Sequence, residues 1–171
     1  DDIQYLESIS NALDIALSEA DLAQIKEELM QSGYIRRKHT KKKVKLTSKP
    51  MHYISSDGYD MYVGKNNLQN EELTFSFANG NDWWFHAKGA PGSHVIVKSG
   101  GDELPDCTFE EAGRLAAYYS KNRGADKVEI DYIQKKHVKK PNGAKPGFVV
   151  YYTNYSLVID SDISNIKNVQ D

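Results

Sequence analysis

Asp82-Trp83-Trp84-Phe85-His86-Ala87-Lys88-Gly89-Ala90-Pro91-Gly92-Ser93-His94-Val95-Ile96-Val97 decides how this chain is read. With period-two alternation its first seven residues form a strand whose faces differ in kind. Trp83, Phe85 and Ala87 fall on one side and suit a core. Asp82, Trp84, His86 and Lys88 fall on the other, and aromatic and basic groups sharing one face suit base stacking and phosphate contact. The plain alternative is an amphipathic strand with a solvated polar side. A Gly-Ala-Pro-Gly loop, residues 89–92, leads to a short apolar strand from His94 to Lys98.

Around this centre, 171 residues are enough for one domain with an appendage. Eleven Tyr and five Phe favour a substantial sheet. The net charge is only −2, but its distribution is uneven. Residues 1–34 carry eight acids and one lysine, so the remaining chain is the cationic part and the expected partner of an anion. One cysteine, Cys107, excludes an intramolecular disulfide framework and a multi-cysteine zinc site. No apolar run is long enough for a bilayer and no signal peptide is seen. A start at Asp1-Asp2 without Met is what is expected of a fragment.

Ile3, Leu6, Ile9, Leu13 and Leu17 have helical spacing, as do Leu22, Ile25, Leu29 and Met30. Ser18 with Asp21 opens the second helix and Gly33 closes it, giving an acidic helical hairpin over 1–34. It is either the end of a coiled coil, a docking arm, or a hairpin packed on its own domain. A basic linker covers 35–50. A strand hairpin follows over 53–63 with its turn at Ser56-Asp57-Gly58, then a helix over 66–78. Gly64-Lys65-Asn66-Asn67 lacks the second glycine and Lys-Ser/Thr pair of a nucleotide cradle. Thr108 and Glu111 suggest a capping box for a helix from Phe109 to Asn122. Lys127–Lys139 reads as a long strand and Phe148–Ile159 as its partner across a stiff turn. The fold class is α/β of the α+β type, with a mixed, largely antiparallel sheet over 51–160 and a tail over 161–171.

No catalytic constellation emerges. Ser93 and His94 are adjacent on a strand and point to opposite faces, so Ser93 is assigned to backbone bonding in its loop. Asp82 and His86 form either an acid–base pair or, preferably, an ion pair that steadies Trp84. The histidines lack metal-ligand spacing. The chain is therefore expected to be no enzyme and to need no metal or cofactor. Lys135, Lys136, His137, Lys139, Lys140 and Lys145 flank a turn stiffened by Pro141 and Pro146, a rigid cationic hairpin suited to phosphate binding.

These residues carry a resemblance. Tyr59–Gly64 with Lys65-Asn66-Asn67, then the Asp82–Val95 motif, then Lys139-Lys140-Pro141 with Lys145-Pro146-Gly147, resemble the NFACT-R domain. This is the RNA-binding domain of ribosome-quality-control factors also called fibronectin-binding protein A in streptococci. The resemblance covers about residues 50–160, and residues 1–34 would match the end of the family's coiled-coil region. It implies RNA binding in the cytoplasm, with tRNA and the large ribosomal subunit as partners. Whole family members extend a stalled chain with alanine, which this fragment would not do alone. The alternative it implies is a fibronectin-binding adhesin module at the bacterial surface. By resemblance, Trp84, His86, Lys88, Ser93 and His94 with Lys135, Lys136, Lys139, Lys140 and Lys145 form the RNA site, supported by Asp82, Pro91 and Gly92. Trp83 departs from the family pattern, adding a second indole where another apolar residue is common.

Overall fold

A computed structural model of the chain describes residues 1–36 and 47–169. The densest part of the basic linker lies outside the described residues. Two helices come first, α1 (Asp2–Ile15) and α2 (Glu19–Gln31). As expected, Ser18 caps α2 by accepting from Asp21 N–H, and Gly33, at φ +80°, takes the left-handed position after its end.

The buried face of α1 is not the aliphatic stripe expected from spacing. Tyr5, Ile9, Ala12 and Ile15 are buried, while Ile3, Leu6, Leu13 and Leu17 stay largely exposed. Both sets have helical spacing, and polar bonding selects between them. The Tyr5 hydroxyl donates to Glu28 Oε2 on α2 at 2.7 Å, and Asn11 Nδ2 reaches Tyr119 O at 3.3 Å. The hairpin therefore packs on its own domain.

The sheet has seven strands: β1 (Met51–Ile54), β2 (Asp60–Val63), β3 (Trp83–Ala87), β4 (Val95–Val97), β5 (Val128–Gln134), β6 (Tyr155–Ile159) and β7 (Lys167–Val169). Their order is β6-β5-β3-β4-β2-β1-β7, and all six pairings are antiparallel. The expected β1–β2 hairpin is present, with Gly58 at φ +91° in its turn. The stretch read as a tail returns as β7 to pair with β1. The expected long strands are shorter: β5 ends at Gln134, a 3₁₀ turn covers Lys135–His137, and only a Lys139–Val150 bridge continues the ribbon.

Helix α4 (Asp106–Tyr118) covers one face of the sheet, meeting Phe85, Ala87, Val95 and Val97 with Ala112, Leu115 and Ala116. Thr108 and Glu111 do not form a capping box, because Pro105 takes the cap position and starts the helix earlier. They tie α4 to the β1–β2 turn instead. Thr108 Oγ1 donates to Asp57, and Glu111 Oε1 accepts from Ser56 N–H at 2.9 Å.

The opposite face of β3 is also covered. Helix α3 (Asn67–Glu72), capped by Asn66, runs into a π-helical turn over Leu73–Phe77. Leu73, Ala78, Val138 and Ile133 close over Trp84 and Ile96. Among the described residues no helix is long and apolar enough to cross a membrane.

Candidate nucleic-acid interface

The two faces of β3 separate as the alternation requires, but the Trp84 face is not an open platform. Trp84 is only 1 % exposed, so its ring braces the sheet and offers no free face for stacking from solvent. Its ring lies parallel to that of His86, with centroids 5.7 Å apart, and edge-on to His94 at 5.2 Å. Tyr151, from the Lys139–Val150 ribbon, closes on it at 5.1 Å.

Cross-strand register explains the row. Trp84 pairs with Ile133 on β5 and His86 with Asp131. Lys88 Nζ meets Glu129 at 3.2 Å at the exposed end. On the other side His86 and His94 stand edge to face, 5.7 Å apart. Asp131 is buried and accepts from Tyr151 Oη at 2.6 Å and Asn154 Nδ2 at 3.0 Å.

Both imidazoles are held neutral. Burial pushes His94 down to about 3, and the neighbouring His86 adds to the effect. Burial also lowers His86, against opposing hydrogen bonds and the charge of Asp131. His94 Nδ1 bonds Thr74 Oγ1 at 2.7 Å, and its backbone N–H donates to Asn70 Oδ1 at 3.0 Å. That second bond fixes the Asn70 amide and leaves its Nδ2 as a donor.

Gly64 makes this arrangement possible. A Cβ there would overlap Asn70 Oδ1, so the Asn70 side chain occupies the space that the glycine leaves. Gly64→Ala is expected to displace Asn70, strip the His94 N–H of its acceptor and destabilise the fold by about 1–3 kcal/mol. Urea unfolding checks this as a lower midpoint with an unchanged slope.

Other expected roles change. Asp82 does not face His86. It is buried and accepts from Lys98 Nζ at 2.6 Å, Asn79 N–H at 2.7 Å and Ser99 N–H at 3.0 Å. It braces the start of β3. Ser93 bonds through its backbone, donating N–H to Tyr119 O at 3.0 Å, and its buried hydroxyl has no partner among the described residues. Gly92 bridges to Ser120, where a Cβ would crowd the Ser120 side chain.

The lysines divide. Lys140 is half-buried and staples its own loop, donating to the carbonyls of Lys145 and Phe148 and pairing with Glu71 at 3.0 Å. Lys145 Nζ sits 4.6 Å above the Tyr5 ring. Neither is a free phosphate clamp in this structure. Lys136 and Lys139 are exposed on the 3₁₀ turn and ribbon, Lys135 lies beside Phe75, and Lys88 is exposed at the end of β3.

A cavity of about 340 Å³ opens between these elements. Trp84, His86 and His94 line it from the sheet, Gly89–Gly92 from the loop, Gly147–Val149 and Tyr151 from the ribbon, Asn67 and Asn70 from α3, and Gln4, Glu7 and Ser8 from α1. Asn70, Tyr151 and the α1 wall were not singled out from sequence, and Asn67 entered there only within the Lys65-Asn66-Asn67 motif. The only signal for the α3 wall is Asn66, a cap residue placing Asn67 and Asn70 on the following turn. Elsewhere Asp57, Cys107 and Glu111 cluster, but Cys107 Sγ donates to Glu111 and Asp57 is bonded by Thr108.

A sequence model described as the NFACT protein RNA binding domain matches residues 49–153, most of the chain. The chain belongs to the NFACT family. This NFACT chain is similar to its relatives beyond residues 49–153 as well, with the α1–α2 hairpin included. It is 44 % identical over 169 residues to the Rqc2 homolog RqcH of Streptococcus pneumoniae strain D39, covering 98 % of this chain and 30 % of the relative. It is 40 % identical to the Rqc2 homolog RqcH of Bacillus subtilis strain 168, covering 97 % of this chain and 29 % of that protein. A solved C-terminal structure of the fibronectin/fibrinogen-binding protein from Streptococcus suis matches with a TM-score of 0.89 and 42 % identity, over 97 % of this chain and 67 % of that one. The chain thus spans about 30 % of the length of these curated relatives.

Proposed function

We propose that this chain is the RNA-contacting module of a ribosome-quality-control factor, binding tRNA or ribosomal RNA on the large subunit in the cytoplasm. The observation that carries the reading is the match of residues 49–153 to an RNA-binding domain. The relatives' name, Rqc2 homolog RqcH, supports the ribosomal context. In this reading Lys88, Lys136 and Lys139, with Lys135 beside them, meet phosphates. Trp84, His86, Ser93 and His94 shape the site behind them, and Lys140 and Lys145 hold the ribbon in position. The module binds and is expected to perform no chemistry of its own: burial keeps His86 and His94 neutral, and Asp82 and Asp131 are engaged in hydrogen bonds.

The test is fluorescence anisotropy of labelled tRNA, titrated in salt. Binding is expected to weaken steeply with salt, and Lys88, Lys136 and Lys139 replaced together by Gln are expected to reduce the log–log slope by about 2–3. An unchanged slope removes these lysines from the interface. Immobilised fibronectin forms a parallel arm. Tight fibronectin binding without tRNA binding would replace the RNA reading with the adhesin alternative, which the RNA-binding family match does not favour.

A further inference from the structure

The cavity beside β3 has three properties that together describe an occupant. Its sheet side is aromatic, lined by Trp84, whose buried ring stacks on His86 within 7°, and by Tyr151. It is lined by no lysine or arginine, so it does not suit a phosphate. The Trp84 indole N–H is buried without any acceptor among the described residues, although buried donors are nearly always paired. Asn70 adds a second donor, its Oδ1 already being taken by His94.

An uncharged, planar group with hydrogen-bond acceptors on its edge answers all three. At about 340 Å³ the cavity lies near the lower end of the roughly 300–1,000 Å³ range of small-molecule sites, which suits one such group. We infer that the cavity receives a single unstacked nucleobase of the bound RNA, with acceptors facing Trp84 Nε1 and Asn70 Nδ2. The inference rests on the RNA-binding reading and deepens it. Exposed lysines hold the backbone without regard to sequence, and the cavity requires one base to leave the stack. Single-stranded or looped RNA is therefore preferred to continuous duplex. The α1 wall makes the helical hairpin part of the site, because Gln4, Glu7 and Ser8 close the side away from the sheet.

The experiment compares short single-stranded RNA with a ribose–phosphate oligomer of equal length lacking bases. Adenosine monophosphate is titrated separately. With only two tryptophans, the Trp83→Phe variant leaves one indole N–H resonance, that of Trp84. That resonance is expected to shift with base-bearing RNA and not with the abasic oligomer. Affinity for the base-bearing strand is expected to be about ten-fold higher or more. Glu7→Phe, at an exposed α1 position on the cavity wall, is expected to erase that difference while the salt-dependent binding of the abasic oligomer persists.

Equal affinity for both oligomers with an unmoved Trp84 resonance would overturn the cavity proposal and leave RNA binding standing. A shift with adenosine monophosphate but no binding of any oligomer would overturn it in favour of a free-nucleotide site. No binding of either oligomer or the mononucleotide would overturn both readings.

Discussion

Trp84→Ala is expected to lower stability by about 3–5 kcal/mol, the range for removing a buried Trp or Phe from a packed core. For a chain of this size that corresponds to a melting midpoint lower by roughly 6–20 °C. The site explains why the upper part of the range is expected. Trp84 is covered by four separate elements: the π-helical turn through Leu73, β4 through Ile96, β5 through Ile133, and the ribbon through Val138 and Tyr151. Because these come from distant parts of the chain, they cannot all collapse into the vacated volume together. Calorimetry checks the result, and a midpoint within about 2 °C of the parent would mean that the ring is not the keystone of this face. Trp83→Phe is the contrast, since Trp83 is only half-buried against Phe109 and Tyr132.

Asp82→Ala is expected to cost about 3–5 kcal/mol, for an electrostatic reason. Its carboxylate is the common acceptor for the Lys98 ammonium and two backbone N–H groups, and it lies almost fully out of water. Truncation leaves a partly buried ammonium and two amides to find other partners. Asp82→Asn separates charge from shape. Its amide oxygen can still accept from one N–H, but its nitrogen faces another donor, so most of the loss is expected to remain. Denaturant unfolding of the two variants gives the comparison, and a loss below about 1 kcal/mol for Asp82→Ala would assign Asp82 to the surface-pair class.

The alternation in Asp82–Lys88 is enough to orient β3, because period two follows from strand geometry alone. It is silent about cover. Trp84 is enclosed by Leu73, Val138 and Tyr151, and residues 135–147 read as a cationic turn while Phe148–Tyr151 reads as a sheet strand, so neither announces a layer folded over the Trp84 face. The same limit applies to Lys140 and Lys145. Their charge is plain in the sequence, but Lys140 is held by two backbone carbonyls, which have no sequence signature. In α1 two helical stripes compete, and the buried one is chosen by a tyrosine hydroxyl reaching Glu28. Short-range signals survived best. The Ser18 cap, the Gly33 stop and the Gly58 turn each depend on a few adjacent residues, as local backbone rules require. Thr108 and Glu111 failed as a cap because Pro105, less than one helical turn before Thr108, takes the cap position and starts the helix there.

The last described strand has a bearing on self-association. Without β7, β1 would present the open amides and carbonyls of Met51–Ile54 at the rim of the sheet, a template for another chain. With β7 in place, the rim is the three-residue Lys167-Asn168-Val169, short and carrying a lysine. That is the usual means of blunting a sheet margin, so this side of the molecule is built to resist strand-by-strand aggregation.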